Sequence, residues 1–202
     1  MDALSQLIQL TRLQGSLDLR CQQAGRFAMD HVMAPTGEAP FHLVLAGRCV
    51  VELERGATLS LGAGDLVVLP RGHAHRLRDA GATTPGGPLH IDTDGPLPIH
   101  RHAHGDAELD LLCGRFHYAP GSVGLLMTAL PDALHVSLTE SAGLDQLHAL
   151  IALLRTEVQR QQPGALAIVT ALSHALFVMA LRAHVEHGTT PACLLALLID
   201  PR

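Results

Sequence analysis

Residues 64–75 constrain the fold of this 202-residue chain more than any other stretch. They begin with a Gly-Asp turn signal and continue with the short apolar run 66–69, which predicts a buried strand. Pro70 ends that strand because proline has no backbone N–H to donate to a sheet. Gly72 then allows a tight reversal. The stretch therefore predicts a strand, a tight turn and the start of a second strand.

Two histidines follow the turn. His73 and His75 are two residues apart, and alternate residues of a strand point to the same face of a sheet. If both belong to the second strand, both imidazoles point to one face. An antiparallel barrel places polar groups in its interior by this arrangement.

The same turn resembles a motif of a known family. The spacing Gly-x5-Pro-x-Gly-x2-His, provided by Gly64, Pro70, Gly72 and His75, is similar to the second conserved motif of the cupin barrels. Together with the start of the chain, three segments resemble the N-terminal cupin domain of AraC/XylS-family transcription regulators: 41–47, 69–77 and 111–116. The resemblance covers nearly the whole chain. It implies an α+β fold in which an antiparallel β-barrel, the cupin double-stranded β-helix, precedes a C-terminal antiparallel helical hairpin.

Strand signals follow one another at short intervals in the first part of the chain. The predicted strands cover 16–20, 26–33, 41–45, 48–53, 58–61 and 66–69. This rhythm, with turn residues between the strands, is typical of an all-β barrel or sandwich. Later strands are expected at 109–118 and 134–138, and the Gly- and Pro-rich residues 79–107 predict a long loop. A short helix over 2–13 and a helical turn at 125–130 complete this part.

The apolar spacing changes to a helical period after the last predicted strand. It predicts one helix over 144–162 and a second over 165–187. The second helix is apolar on more than one face, so it needs more than one partner. Polar residues interrupt its apolar run, which favours a buried helix over a membrane span. We therefore divide the chain into a barrel domain, 1–140, and a helical segment, 141–202, through which two copies are expected to form a homodimer.

Charge and composition argue against several classes of protein. The formal net charge is -5, and the 14 basic residues, all arginines, are scattered, so the chain has no basic stripe for nucleic acid. The N-terminus is acidic and lacks the apolar stretch of a signal peptide, so a cytoplasmic location is expected. The resemblance implies two helix-turn-helix units after the helices, and this chain contains none. DNA contact is therefore expected only through a C-terminal domain that is absent here.

A stand-alone metal-dependent cupin enzyme, such as an isomerase or a dioxygenase, is the alternative function. The resemblance implies a metal held by His-x-His and Glu of a first motif and by the histidine of the second motif, which is His75 here. Residues 31–40 stand in the place of the first motif, but they contain no His-x-His, and the position where the Glu would fall, near Pro40, is not acidic. Because three of the four ligands are missing from this pattern, we expect no enzyme and assign no catalytic residue.

A different metal site remains open. The candidate ligands, on strands that should line one barrel, are His42, His73, His75 and Cys113. Imidazole and thiolate are the ligands that zinc prefers, and a thiolate also suits copper(I). The alternative is that these residues are hydrogen-bonded core histidines and a buried thiol. A weaker cluster stands at the end of the predicted long loop: His100, His102 and His104.

The cysteines offer a redox alternative. The chain has four cysteines and no Cys-x2-Cys pair, so the zinc-finger spacing is absent. Cys21 lies on an early predicted strand and Cys113 on a late one, and the first and last strands of a barrel can be neighbours. Oxidation could then join the two in a disulfide. The other reading is that all four cysteines are reduced, buried thiols.

These observations and the resemblance together predict a sensing and dimerisation domain of an AraC-family transcription regulator. The signal would be a metal ion, an oxidant that acts on thiols or, without either, a small organic effector in an aliphatic interior. The sequence does not choose among the three.

Overall fold

The structure, a computed structural model, describes residues 5–6, 13–54, 56–94, 97–102, 107–119, 127–137, 145–160 and 162–187. Its strands are β1 (Gln14–Gln23), β2 (Ala28–His31), β3 (Glu38–Ala46), β4 (Arg48–Leu53), β5 (Thr58–Gly62), β6 (Asp65–Val68), β7 (His75–Asp79), β8 (Leu89–Asp92), β9 (Ile99–His102), β10 (Leu109–His117) and β11 (Leu134–Ser137). Its helices are α1 (Asp145–Arg160) and α2 (Ala165–His187).

The strands form two sheets. The larger has seven strands in the order β11-β6-β3-β10-β1-β9-β8, and the smaller has four in the order β2-β7-β4-β5. Neighbouring strands are antiparallel except β1 and β9, which pair in parallel. The expected mostly β architecture is confirmed. The described strands nevertheless form two sheets and not the closed, wholly antiparallel barrel that the sequence predicted.

Strand β3 shows how the sheets and helices share the interior. Phe41 and Leu43 belong to a core cluster that also contains residues of α1 and α2. Val44 belongs to a second cluster, which contains residues of both sheets. Successive side chains of a strand alternate, so β3 is apolar on both faces and reads as a continuous apolar run. His42 alternates with Phe41 and Leu43, and it therefore points toward the smaller sheet.

The two helices follow the predicted bounds closely. Helix α2 has the predicted limits, and α1 lies within the predicted 144–162. Gly164, which precedes α2, has a φ of 87°, a left-handed conformation that glycine adopts without strain. The helices contact each other, and α2 also contacts β1 and β11. Their antiparallel arrangement and the division at residue 140 stay predictions.

Helix α2 combines high hydropathy with contacts to the larger sheet. By length and composition alone, Ala165–His184 could cross a membrane, with a mean hydropathy of 1.8. In this fold its Phe177 is fully buried and packs against Phe116 of β10, with ring centroids 4.7 Å apart. These contacts agree with the expectation of a buried helix.

The prediction of one long loop over 79–107 is wrong. Strands β8 and β9 lie within it and pair with each other, and β9 also pairs with β1. These residues carry no periodic signal because a sheet edge is held by backbone hydrogen bonds, which need no apolar alternation. Most of the predicted N-terminal helix lies outside the described residues, and residues 127–129 form the expected helical turn.

Candidate metal centre

Three histidines meet between the two sheets. His31 ends β2 and His75 begins β7, and the two residues are directly opposite each other where these strands pair. Their rings stack in parallel, with centroids 4.6 Å apart. His42 reaches them from β3 of the other sheet, and its ring centroid lies 5.0 Å from that of His31 and 4.9 Å from that of His75. Both sheets therefore contribute to one cluster.

Hydrogen bonds define the proton positions in this cluster. Nδ1 of His75 lies 2.9 Å from the carbonyl oxygen of His73, and it must donate because a carbonyl only accepts. Nε2 of a neutral His75 is then unprotonated and accepts a hydrogen bond from Nε2–H of His42 over 2.7 Å. Nδ1 of His42 in turn accepts from the Cys113 thiol, with an N···S distance of 3.1 Å. Every donor and acceptor in this series of hydrogen bonds has a partner when both imidazoles are neutral and the thiol is protonated.

Burial keeps the three imidazoles neutral near pH 7. Desolvation lowers the pKa of His75 to about 4, and the hydrogen bond to His73 only partly opposes it. Desolvation, followed by repulsion from His75 and His31, holds the pKa of His42 well below its usual range. Desolvation also lowers the pKa of His31, against the opposing charge of Asp30. Neutral imidazole is the form that binds a metal ion.

The donor set fits a metal ion. The three histidines offer ring nitrogens that all lie within 4.8 Å of one another. Nε2 of His31 is buried and has no hydrogen-bond partner. Buried polar atoms are rarely left unpaired, so this nitrogen favours a ligand at the cluster. His31, His42 and His75 also line a cavity of about 320 Å³, and Val32 on its wall is 85% exposed, so the cavity borders the surface.

The structure brings together three of the four predicted ligands, namely His42, His75 and Cys113. The prediction that His73 shares the face of His75 is wrong. His73 precedes β7 and is not part of it, so strand alternation does not apply to its side chain. Its Nδ1 lies 3.8 Å from the Asp132 carboxylate, and its contribution to the cluster is the backbone carbonyl that accepts from His75.

The sequence reasoning missed His31. It treated residues 31–40 as a first motif without ligands because that stretch contains no His-x-His. The available signal was the position of His31 on a predicted strand, since a strand can bring a single histidine opposite another. The pairing of β2 with β7 supplies that partner, and no local pattern reveals this register.

The turn that carries the cupin-like motif has the geometry that its residues predicted. Gly64 and Gly72 have φ values of 90° and 66°, which β-carbon-bearing residues rarely adopt. A Cβ at Gly72 would also lie only 2.8 Å from the Cβ of Ala34. The carbonyl of Pro70 accepts a hydrogen bond from the Tyr118 hydroxyl over 3.2 Å. This packing places His75 at the start of β7.

The redox candidates lie on neighbouring strands, as expected. Cys21 is on β1 and Cys113 on β10, and these strands pair throughout their length. Both cysteines are free and buried. Interaction with the Cys21 thiol, together with desolvation, raises the pKa of Cys113 well above its usual value. Cys193 lies outside the described residues.

The loop histidines do not form one cluster in the described part of the chain. His100 and His102 lie on β9, and His104 is outside the described residues. Nδ1 of His102 lies 3.1 Å from the backbone nitrogen of Ala24 and 2.6 Å from its carbonyl oxygen. These contacts hold β9 beside the end of β1, so His102 has a structural role.

The chain is similar in sequence to several transcriptional regulators. It is 27% identical over 202 residues to a helix-turn-helix (HTH)-type transcriptional regulator of Haemophilus influenzae, covering 100% of this chain and 65% of that protein. It is 28% identical over 187 residues to the HTH-type transcriptional regulator MtrA of Neisseria gonorrhoeae, covering 92% and 60%. It is 25% identical over 203 residues to the RCS-specific HTH-type transcriptional activator RclR of Escherichia coli, covering 100% and 63%. The chain thus spans less than two thirds of the length of each.

A match to a family model over most of the chain shows which family it belongs to. The expected similarity to AraC-family regulators is confirmed by these relatives, which align with nearly all of the chain. A family model described as cupin matches residues 2–186, which is most of the chain. This match agrees with the two facing sheets and with the histidine that follows the Gly-Pro-Gly turn. The chain therefore belongs to the cupin family.

Proposed function

We propose that this chain is the sensing domain of an AraC-family HTH-type transcription regulator and that its signal is a transition metal bound by His31, His42 and His75. The observation that carries the proposal is the convergence of three neutral imidazoles, one with an unpaired buried nitrogen, beside a cavity at the surface. The relatives, which are transcription regulators, support the regulatory part of the proposal.

Zinc suits these ligands best. Three histidines with one open position form a known zinc arrangement, and imidazole also binds copper. The carbonyl of His73 fixes the tautomer of His75, and Cys113 faces the second nitrogen of His42, so both ligands are oriented by an outer partner. A bound Zn²⁺ would supply a fixed positive charge shared by the two sheets.

Strand β3 offers a route from the metal to the helices. His42 stands on one of its faces, and Phe41 and Leu43 stand on the other, in the same core cluster as residues of α1 and α2. Packed interiors transmit small displacements because they contain little free space. A shift of β3 when His42 binds metal would therefore change the packing of the helices, and in a longer regulator it would reach the DNA-binding part.

The remaining parts of the proposal concern partners and location. Leu153 of α1 and Leu166 and Ile168 of α2 are 43–46% exposed, which supports pairing of two copies through the helices. DNA binding would belong to a further domain of the whole protein, and a regulator of that kind works in the cytoplasm. A role other than catalysis is supported by the relatives, which are regulators.

Metal analysis of the purified protein tests the proposal. We expect about one zinc per chain after zinc loading and desalting, and less than about a tenth of that in the variants His42→Ala and His75→Ala, since each removes a ligand. Of the three ligand variants, His31→Ala should disturb folding least, because His31 is only half-buried. His102→Ala is the matched control and should load normally.

Two outcomes would overturn the metal proposal. One is a wild-type protein that retains neither zinc nor copper after loading. The other is equal loading of wild type and the His75→Ala variant, with both shown to be folded by circular dichroism. A disulfide between Cys21 and Cys113, found by mass spectrometry after mild oxidation, would then favour the redox signal.

A further inference from the structure

Three sulfur atoms gather beside the histidine cluster, and none of them is a metal ligand in the zinc proposal. Cys21 of β1 and Met29 of β2 have their sulfur atoms 3.9 Å apart. Cys113 of β10 is a diagonal neighbour of Cys21 in the pairing of β1 with β10. The three residues come from both sheets and pack in the same core cluster. Two thiols and one thioether therefore face one another in the interior.

The surroundings of these sulfurs are apolar. Cys21 is fully buried and Cys113 is 4% exposed, and their cluster consists mainly of valine and leucine side chains. The polar group in contact with them is His42, whose Nδ1 is 3.1 Å from Sγ of Cys113. Cys113 also lines the cavity that contains the histidines, so an ion that enters the cavity can reach it.

The strand register favours an ion between the cysteines over a direct bond. In the pairing of β1 with β10, Cys21 stands opposite Leu111 and Cys113 opposite Leu19, so the two cysteines are diagonal neighbours. Diagonal neighbours have Cα atoms about 7–8 Å apart, beyond the usual limit for a disulfide, about 6.8 Å. Two sulfurs that bind one metal at about 2.3 Å in a trigonal arrangement are about 4 Å apart. The separation of Cys21 and Met29 sulfurs matches that spacing.

We propose that Cys21, Met29 and Cys113 form a binding site for a soft monovalent metal ion, copper(I), next to the histidine site. Thiolates and a thioether are soft ligands that suit copper(I), and the low coordination number of this ion needs no further ligand. On binding, the two thiols release their protons to solvent, and the ion is held by two thiolates and a neutral thioether. His42, in the tautomer with a proton on Nδ1, then donates a hydrogen bond to the Cys113 thiolate.

This site is independent of the zinc proposal. The zinc ligands are ring nitrogens, whereas the copper(I) ligands are sulfurs, and the two sets share no residue. His42 touches both, through Nε2 toward His75 and Nδ1 toward Cys113. A chain that binds zinc but not copper(I) would contradict only the proposal of this subsection, and the reverse result would contradict only the zinc proposal.

Transfer of copper(I) from a coloured chelator of known affinity tests the sulfur site. The titration is done without oxygen and with excess zinc present to occupy the histidines. Wild type should take up one copper(I) per chain, with sulfur neighbours at about 2.3 Å in X-ray absorption. Cys21→Ser and Cys113→Ser should weaken copper(I) binding by at least about 100-fold and Met29→Leu by about tenfold, because ligands are lost.

Cys49→Ser is the matched control. Cys49 is a buried cysteine of the same core cluster, but on β4 it stands opposite Leu61 and Asp79. This variant should bind copper(I) as wild type does, and Cys49→Ser, Cys21→Ser and Met29→Leu should all retain zinc. Equal copper(I) affinity in wild type, Cys21→Ser and Met29→Leu would overturn the proposal. Displacement of zinc by copper(I), one for one, would also overturn it, because copper would then be at the histidines.

Discussion

His42 is the polar residue within the apolar centre of β3, and its two nitrogens have different partners. Nε2 pairs with His75 of the opposite sheet, and Nδ1 pairs with Cys113 of the neighbouring strand. A buried imidazole is stable here because both nitrogens are satisfied without a charge. At the scale of the residue, the site is therefore a set of neutral donors and acceptors that requires no counter-ion.

The same neutrality predicts how stability depends on pH. The pKa of His75 is about 4 in the folded protein, below the ordinary value of 6.5, so below pH 6.5 the unfolded chain binds a proton that the folded chain does not. Stability therefore falls as pH decreases from about 6.5 toward 4, by up to about 1.4 kcal/mol per pH unit for each such histidine. His42, with its lowered pKa, contributes in the same direction.

Urea unfolding of the metal-free protein at pH 7, 6 and 5 measures this dependence. His75→Gln retains a hydrogen-bonding group. It should reduce the slope of the free energy of unfolding against pH by the amount that corresponds to about one bound proton. Ser60→Ala on β5 is a control at an exposed position that has no titratable group, and its slope should equal that of wild type. An unchanged slope in His75→Gln would mean that His75 does not titrate as described.

At the scale of the element, β10 is held closely between β1 and β3. Gly114 is its point of closest approach, since a Cβ there would lie 2.2 Å from the carbonyl oxygen of Ser16 and 2.7 Å from the ring of Phe41. The backbone conformation at this position does not require glycine, but the neighbouring atoms leave no room for a Cβ. This glycine lets Phe41 pack across the sheet toward Phe116, with ring centroids 4.6 Å apart.

Gly114→Ala should therefore destabilise the fold. Overpacking a tight interior costs about 1–3 kcal/mol, and we expect the upper part of that range because one of the clashes is with backbone. The midpoint of thermal unfolding measures the effect. Gly62→Ala is a suitable control, because the nearest atom to its added Cβ would be 3.9 Å away. Equal loss in the two variants would show that the space at Gly114 is not limiting.

At the scale of the whole molecule, the larger sheet is covered on both faces, by the smaller sheet on one side and by the helices on the other. The helices keep exposed apolar side chains, Leu153 on α1 and Leu166 and Ile168 on α2. If two copies pair through the helices, as we propose, a charge at such a position would be buried without a partner in the dimer. Such burial is strongly unfavourable.

Leu166→Glu combined with Ile168→Glu should convert a dimer into a monomer, and sedimentation at micromolar concentration measures the change. Leu89→Glu on β8 is the control, because Leu89 is 50% exposed but lies on the sheet edge. If wild type itself sediments as a monomer, or if only the control dissociates, the helices are not the dimer interface.

The sequence predicted most strands, both helices and the turn at 64–75, because each depends on short-range periodicity, on glycine and on proline. It also predicted His42, His75 and Cys113, because alternation along each predicted strand directs these side chains to the interior. It did not predict β8 and β9, because backbone hydrogen bonds hold these strands together. It also did not predict the place of His73, which lies before β7, so that strand alternation does not apply to its side chain.

Most of the elements, and the turn that delivers His75 to the interior, follow from the sequence alone. Which side chains meet there depends on the tertiary structure. His31 stands opposite His75 through the register of β2 and β7, and Met29 meets Cys21 through packing between the sheets. Register and sheet packing depend on contacts between residues far apart in the chain, so no local pattern encodes them.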